Sequence, residues 1–215
     1  AVLARITATE NADDLAGCDL VIEAVFEKRE LKAQVTQEAE AKMLETGVMA
    51  SNTSSLPITG LAEASVRPAN YVGLHFFSPV DKMPLVEIIC GKETSDETLA
   101  RAFDYVLQIK KTPIVVNDSR GFFTSRVIGT YINQGIGMLA EGLNPQSIEV
   151  AAQSAGFPVS TLAISDELNF TTMRNISLAA KADLAAEGKE LPDTPISAVL
   201  NQMIDEFGRE GKLAG

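Results

Sequence analysis

The chain has 215 residues, 46% of them hydrophobic and 22% charged, enough to bury a core as one large domain or two small ones. A formal net charge of −11 with no basic stripe excludes a phosphate-backbone partner, so nucleic acid is not expected. No apolar run approaches bilayer length, and Cys18 and Cys90 are isolated thiols with neither metal spacing nor a disulfide framework, so no membrane span, no metal and a reducing, cytoplasmic setting are expected.

The chain opens on AVLARITATE, without methionine and without a charged segment leading into an apolar one, and is read as a piece of a longer protein. Arg5 to Thr9 is a short β-prone run, and Asn11 to Leu15 reads as one acid-rich helical turn. Asp19 to Phe26 (DLVIEAVF) is the clearest strand, a near-continuous apolar run of the kind a parallel sheet covers on both faces, with Glu23 as the exception. A helix is expected from about Lys28 to Leu44, with Leu31, Val35, Ala39 and Met43 at spacing four and Gly47 ending it.

Val48 to Ser51 is a second apolar strand, followed by the polar segment Asn52 to Ser55 (NTSS) and a helix opening at Pro57. Strand, helix, strand, polar loop, helix is βαβ order and implies a parallel sheet with ligands at the carboxyl ends of its strands. That rule selects Val25, Phe26, Glu27 and residues 52–55. Hydroxyls and an amide at a strand end suit a polar or anionic group, although a turn with a helix cap would look the same.

Tyr71 to Phe77 and Leu85 to Gly91 are short apolar strands separated by Ser78 to Pro84 (SPVDKMP), which is turn chemistry. Folding back near Asp81 makes His75, the only histidine, a cross-strand neighbour of Glu87 on the same face. A carboxylate beside an imidazole in apolar surroundings raises its proton affinity and fixes its orientation, as a general base requires. A core histidine satisfying one hydrogen bond, with Glu87 in solvent, fits these residues equally well.

Thr94 to Glu97 (TSDE) resembles a capping box for a helix burying Leu99, Phe103 and Val106, and Pro113 to Val116 is the last strand. From Asn117 to Gly121 onward the pattern is helical: about Phe122 to Glu141, Pro145 to Ala155, Asp166 to Ala186 and Ile196 to Gly208, with a loop at Leu191 to Pro195. The domain boundary is placed near Asp118, giving an α/β part over 1–117 and an all-α part over 118–215. Gly135 to Ala140 (GIGMLA) matches the dinucleotide pattern G-x-G-x-x-A but sits in a helical stretch with no strand before it, so it is assigned to helix packing.

With NTSS at a strand end, then GLHFF, LVEII and GFF before a helix, the sequence resembles the L-3-hydroxyacyl-CoA dehydrogenases over nearly its whole length. The run HFFSPVDKMPLVEII is most like the dehydrogenase portion of bacterial multifunctional fatty-acid oxidation proteins. The resemblance implies an incomplete Rossmann-type doubly wound sheet followed by an all-α domain, NAD as cofactor and a 3-hydroxyacyl-CoA substrate in β-oxidation. It implies His75 as catalytic base, Glu87 as its orienting carboxylate and Ser54 as the serine that hydrogen-bonds the reacting oxygen. Val25, Phe26, Glu27, Lys32, Ser54 and Ser78 match cofactor-lining positions, and Ser54 and Ser125 match substrate-facing ones. Ser78 and Ser125 stand where many relatives have asparagine (HFFNP, GFxxNR), which turns direct contacts into water-mediated ones.

The family's first strand and its G-x-G-x-x-G turn would precede Ala1, so a missing central strand, exposed apolar surface and weak or absent NAD binding are expected of this piece alone. Apolar helices such as Phe122 to Glu141 lead to the expectation of a homo-oligomer or of packing on another domain of the parent, with a thiolase subunit as a further partner. A non-catalytic, crystallin-like scaffold and a β-hydroxyacid dehydrogenase acting on free acids are the alternative readings.

Overall fold

The computed structural model describes residues 3–186, 188–190 and 194–212. It divides into two compact units, Ala1–Arg126 and Val127–Gly215.

The first unit is built on a five-stranded sheet of β1 (Leu20–Glu23), β2 (Val48–Ser51), β3 (Tyr71–Phe76), β4 (Leu85–Cys90) and β5 (Thr112–Asn117), in that spatial order. β1, β2 and β3 are parallel, β4 is antiparallel to β3, and β5 is parallel to β4. The sheet carries α1 (Arg29–Glu40), α2 (Ile58–Ala62) and α3 (Asp96–Gln108). Strand alternation splits the core into two layers. Met49, Tyr71 and Ile89 pack with Ala39, Ile58 and Leu61 from α1 and α2. Val48, Ala50, Val72, Leu74, Val86 and Ile88 pack with Ala102 and Val106 of α3.

Several local expectations are corrected. Arg5 to Thr9 is not a strand, since a single 3-10 turn over Leu3–Arg5 leads into irregular chain, whereas Asn11 does cap a turn at Ala12–Leu15. α1 ends at Glu40, well before Gly47, and Met43 reaches the core from the following turns. The cap of α3 is Ser95, which accepts from the Thr98 amide. Thr94 instead ties the Gly91 amide to the Tyr71 carbonyl. On α3, Ala102 and Val106 are buried while Phe103 turns outward at 38% exposure.

Among the described residues β1 pairs with β2 alone, and a groove of about 490 Å³ lies along it, lined by Leu20, Ile22, Val48, Arg101, Ala102 and Tyr105 among others. β5 is the other edge of the sheet, where Pro113 is tolerated because an edge strand does not need every N–H.

α4 (Thr124–Ala140) crosses the division, which falls after Arg126. The second unit contains α5 (Pro145–Ser154), α6 (Thr161–Leu168), α7 (Phe170–Ala186), α8 (Pro195–Asn201) and a π turn over Gln202–Glu206. Its core gathers Ile132, Ile136, Phe170 and Leu200. The helix expected over 166–186 is broken at Asn169, whose positive φ of 68° ends α6 before α7 begins. Part of the expected loop, residues 191–193, lies outside the described residues. Gly135 is buried against α6, where an added Cβ would overlap the Thr161 hydroxyl. Gly137, by contrast, faces open space, so helix packing accounts for one of the two glycines of GIGMLA.

Candidate active site

Four polar side chains lie on one face of the sheet, the face that α1 and α2 cover: Glu23 ends β1, Ser51 ends β2, and His75 and Glu87 face each other on β3 and β4. Period-two alternation places them there, in line with Met49, Tyr71 and Ile89.

The β3/β4 register pairs His75 with Glu87, and His75 Nδ1 lies 2.7 Å from Glu87 Oε2. Both residues are buried, His75 at 7% exposure and Glu87 at 0%. The Glu87 carboxylate is further held by the amides of Phe123 (3.1 Å) and Thr124 (2.8 Å) on Oε1 and by the Thr124 hydroxyl (2.8 Å) on Oε2. Burial alone pushes this carboxyl up, but bonds from His75 and from the amide and hydroxyl of Thr124 outweigh it and hold Glu87 below its ordinary value. An ionised acceptor on Nδ1 fixes the imidazole tautomer and leaves Nε2 as the basic site. The rings of Phe77 and Phe122 flank His75 at centroid distances of 4.4 and 6.0 Å.

A second network forms at the carboxyl ends of β1 and β2. The Lys32 ammonium, on a side chain 1% exposed, sits 3.0 Å from Glu23 Oε1, 3.4 Å from Glu27 Oε2 and 3.3 Å from the Val25 carbonyl. Glu23 also accepts from the Ser51 hydroxyl and the Val25 amide. Glu27 Oε1 gathers the 52–55 loop by accepting from the Thr53 hydroxyl (2.6 Å), the amides of Ser54 (3.1 Å) and Ser55 (3.0 Å) and the Ser55 hydroxyl (3.0 Å). Burial raises the Glu27 carboxyl, yet the Thr53 hydroxyl, the Lys32 charge and the Ser55 donors bring it below its usual value. Asn52 Oδ1 accepts from the Phe76 amide at 2.8 Å and so ties this loop to the end of β3, one residue past His75.

Of the residues singled out in the sequence, the structure joins His75 to Glu87, Lys32 and Ser54 to Glu27, and Val25 to Glu23. Phe26 stands out at 81% exposure, Ser54 and Ser78 are exposed, and Ser125 is half-buried in the first turn of α4. Thr124 and Ser51 were not legible as site residues, whereas Asn52 fell within the polar 52–55 loop that strand order selected. Only Glu23, a carboxylate inside an apolar strand, announced a buried network.

Residues 1–119 match the 3-hydroxyacyl-CoA dehydrogenase NAD binding domain and residues 121–214 match the C-terminal domain of the same enzymes. The chain belongs to the 3-hydroxyacyl-CoA dehydrogenase family. It is therefore an oxidoreductase of the NAD-dependent class, and its sheet followed by helices is that family's fold. It is similar to (S)-3-hydroxybutyryl-CoA dehydrogenase PaaH1 from Ralstonia eutropha, with 33% identity and a TM-score of 0.88 over 99% of this chain and 74% of that one. FadB2 of M. tuberculosis matches at 28% identity and a TM-score of 0.86 over 99% and 74%. The 3-hydroxybutyryl-CoA dehydrogenase of Escherichia coli K12 matches at 29% and 0.88 over 99% of this chain and 44% of that longer one.

Proposed function

We propose that this chain carries the acid–base and nicotinamide-side residues for oxidation of an L-3-hydroxyacyl-CoA to the 3-ketoacyl-CoA in fatty-acid β-oxidation. The observation that supports it most is the buried 2.7 Å contact of His75 Nδ1 with a Glu87 carboxylate that three further donors hold ionised. His75 Nε2 takes the proton of the C3 hydroxyl as the C3–H hydride departs, and Glu87 stabilises the imidazolium through a charge-assisted hydrogen bond. NAD, when bound, supplies the hydride acceptor. Ser54 donates its hydroxyl to the reacting oxygen, and Val25, Phe26, Glu27, Lys32 and Ser78 form the nicotinamide side, with Ser125 on the substrate side.

The polar loop at the strand ends and the exposed Phe26 fit the nicotinamide end of the cofactor. Lys32 acts from behind, by fixing Glu27. The pyrophosphate has no counterpart among the described residues, because the one G-x-G-x-x-A run, Gly135 to Ala140, lies within α4. The dehydrogenase portion of a multifunctional fatty-acid oxidation protein is the setting that HFFSPVDKMPLVEII supports. Exposed Val127, Val150 and Phe157 on the helical unit support an oligomer or packing on another domain or a thiolase subunit. Cys18 and Cys90, both free thiols, support a reducing, cytoplasmic setting. No helix among the described residues is long and apolar enough to cross a membrane.

The test is reduction of acetoacetyl-CoA by NADH, followed by NADH absorbance, with a strand and glycine-rich turn supplied ahead of residue 1. Decay above background is expected. Its absence would favour a non-catalytic scaffold, for which a buried ionised pair is a costly thing to keep.

A further inference from the structure

Three of the four donors to Glu87 come from the two residues around the start of α4. The chain reaches that place through a strained turn. Gly121 has φ +72°, and Phe122, although bulky and 2% exposed, has φ +48°. Phe122 packs in the core with Ile58 and Ile89, so burial of its ring compensates for an unfavourable backbone that aims the next two amides at Oε1. The Thr124 hydroxyl and His75 Nδ1 then share Oε2, at 2.8 and 2.7 Å.

We propose that Thr124 is a positioning residue for His75, its amide and hydroxyl fixing the Glu87 carboxylate and drawing negative charge away from the oxygen the imidazole binds. This rests on the reading of His75 as the base. The groups that bear on the carboxylate are His75 from β3 and Phe123 and Thr124 from the α4 turn. β5 presents Ile114 at the paired position, and α2, with the sequence ITGLA, brings no charge. A donor removed from Oε2 leaves a more concentrated charge facing Nδ1–H, which favours the imidazolium.

His75 is the only histidine in the chain, so histidine labelled with 15N gives one imidazole to titrate by NMR without substrate or cofactor. In the wild type, the amide signals of Phe123 and Thr124 are expected to move with the same midpoint as the imidazole. Thr124→Val, which keeps the shape and loses the hydroxyl, is expected to raise that midpoint by about 0.5 pH unit, and Thr124→Ser to restore it. Amides that ignore the imidazole titration, a valine variant with the wild-type midpoint, or a serine variant that behaves like valine would each overturn the proposal. Should the valine variant not fold, the wild-type amides and the serine variant still decide. Loss of the base role would show separately, as turnover that survives replacement of His75 while this coupling persists.

Discussion

Glu87 Oε2 stands 2.7 Å from His75 Nδ1 across the β3/β4 ladder, and the carboxylate's other oxygen accepts the amides of Phe123 and Thr124. The imidazole is thereby anchored at one end to the sheet and, through the carboxylate, to the first turn of a 17-residue helix. Anchoring at several points is what keeps a base in one rotamer and one tautomer.

Glu87 makes stability depend on acid. Its folded-state value is depressed, so its contribution is fully present above the ordinary carboxyl value of 4.5 and is lost as pH falls below that toward the folded value. Glu27 acts in the same direction. Denaturant midpoints measured from pH 6 to pH 3 should fall on the acid side, and Glu87→Gln should flatten part of that fall. Equal acid slopes in the two proteins would contradict this.

Among the described residues Lys32 is the cation paired with buried Glu23, so Lys32→Met leaves a carboxylate in the core without its counter-charge. Removing one partner of such a pair costs about 3–5 kcal/mol, read as a lower urea midpoint. The double variant Lys32→Met with Glu23→Gln should recover a large part of the loss.

Gly135→Ala should destabilise the helical unit by about 1–3 kcal/mol, because the new methyl overlaps the buried Thr161 hydroxyl, which has no hydrogen-bond partner among the described residues. Adding Thr161→Ala should relieve the overlap. Gly137→Ala, with open space around it, should be neutral or stabilising.

The contrast between these two glycines shows where the sequence was legible. Alternation and turn residues at 78–84 located the hairpin well enough to put His75 opposite Glu87, since a two-residue period leaves little freedom of register. The same letters could not show that Thr124, 37 positions beyond Glu87, returns to its carboxylate, because that contact depends on a left-handed backbone at Phe122 that no propensity favours. The break at Asn169 was equally hidden, as helical periodicity runs on through it. Edge strand β1 is only four residues long although the apolar run suggested eight, pairing having stopped where Glu23 turns to Lys32 and Ser51.

The central claim is that the His75 imidazole is the base. It is tested most directly by comparing His75→Gln with the wild type in acetoacetyl-CoA reduction by NADH, with the glycine-rich segment supplied. A fall in kcat of about 10²–10⁴ with the fold intact is the result expected of a lost general acid–base. Turnover largely kept, with only stability altered, would mean that His75 is a core residue and that the chemistry resides elsewhere.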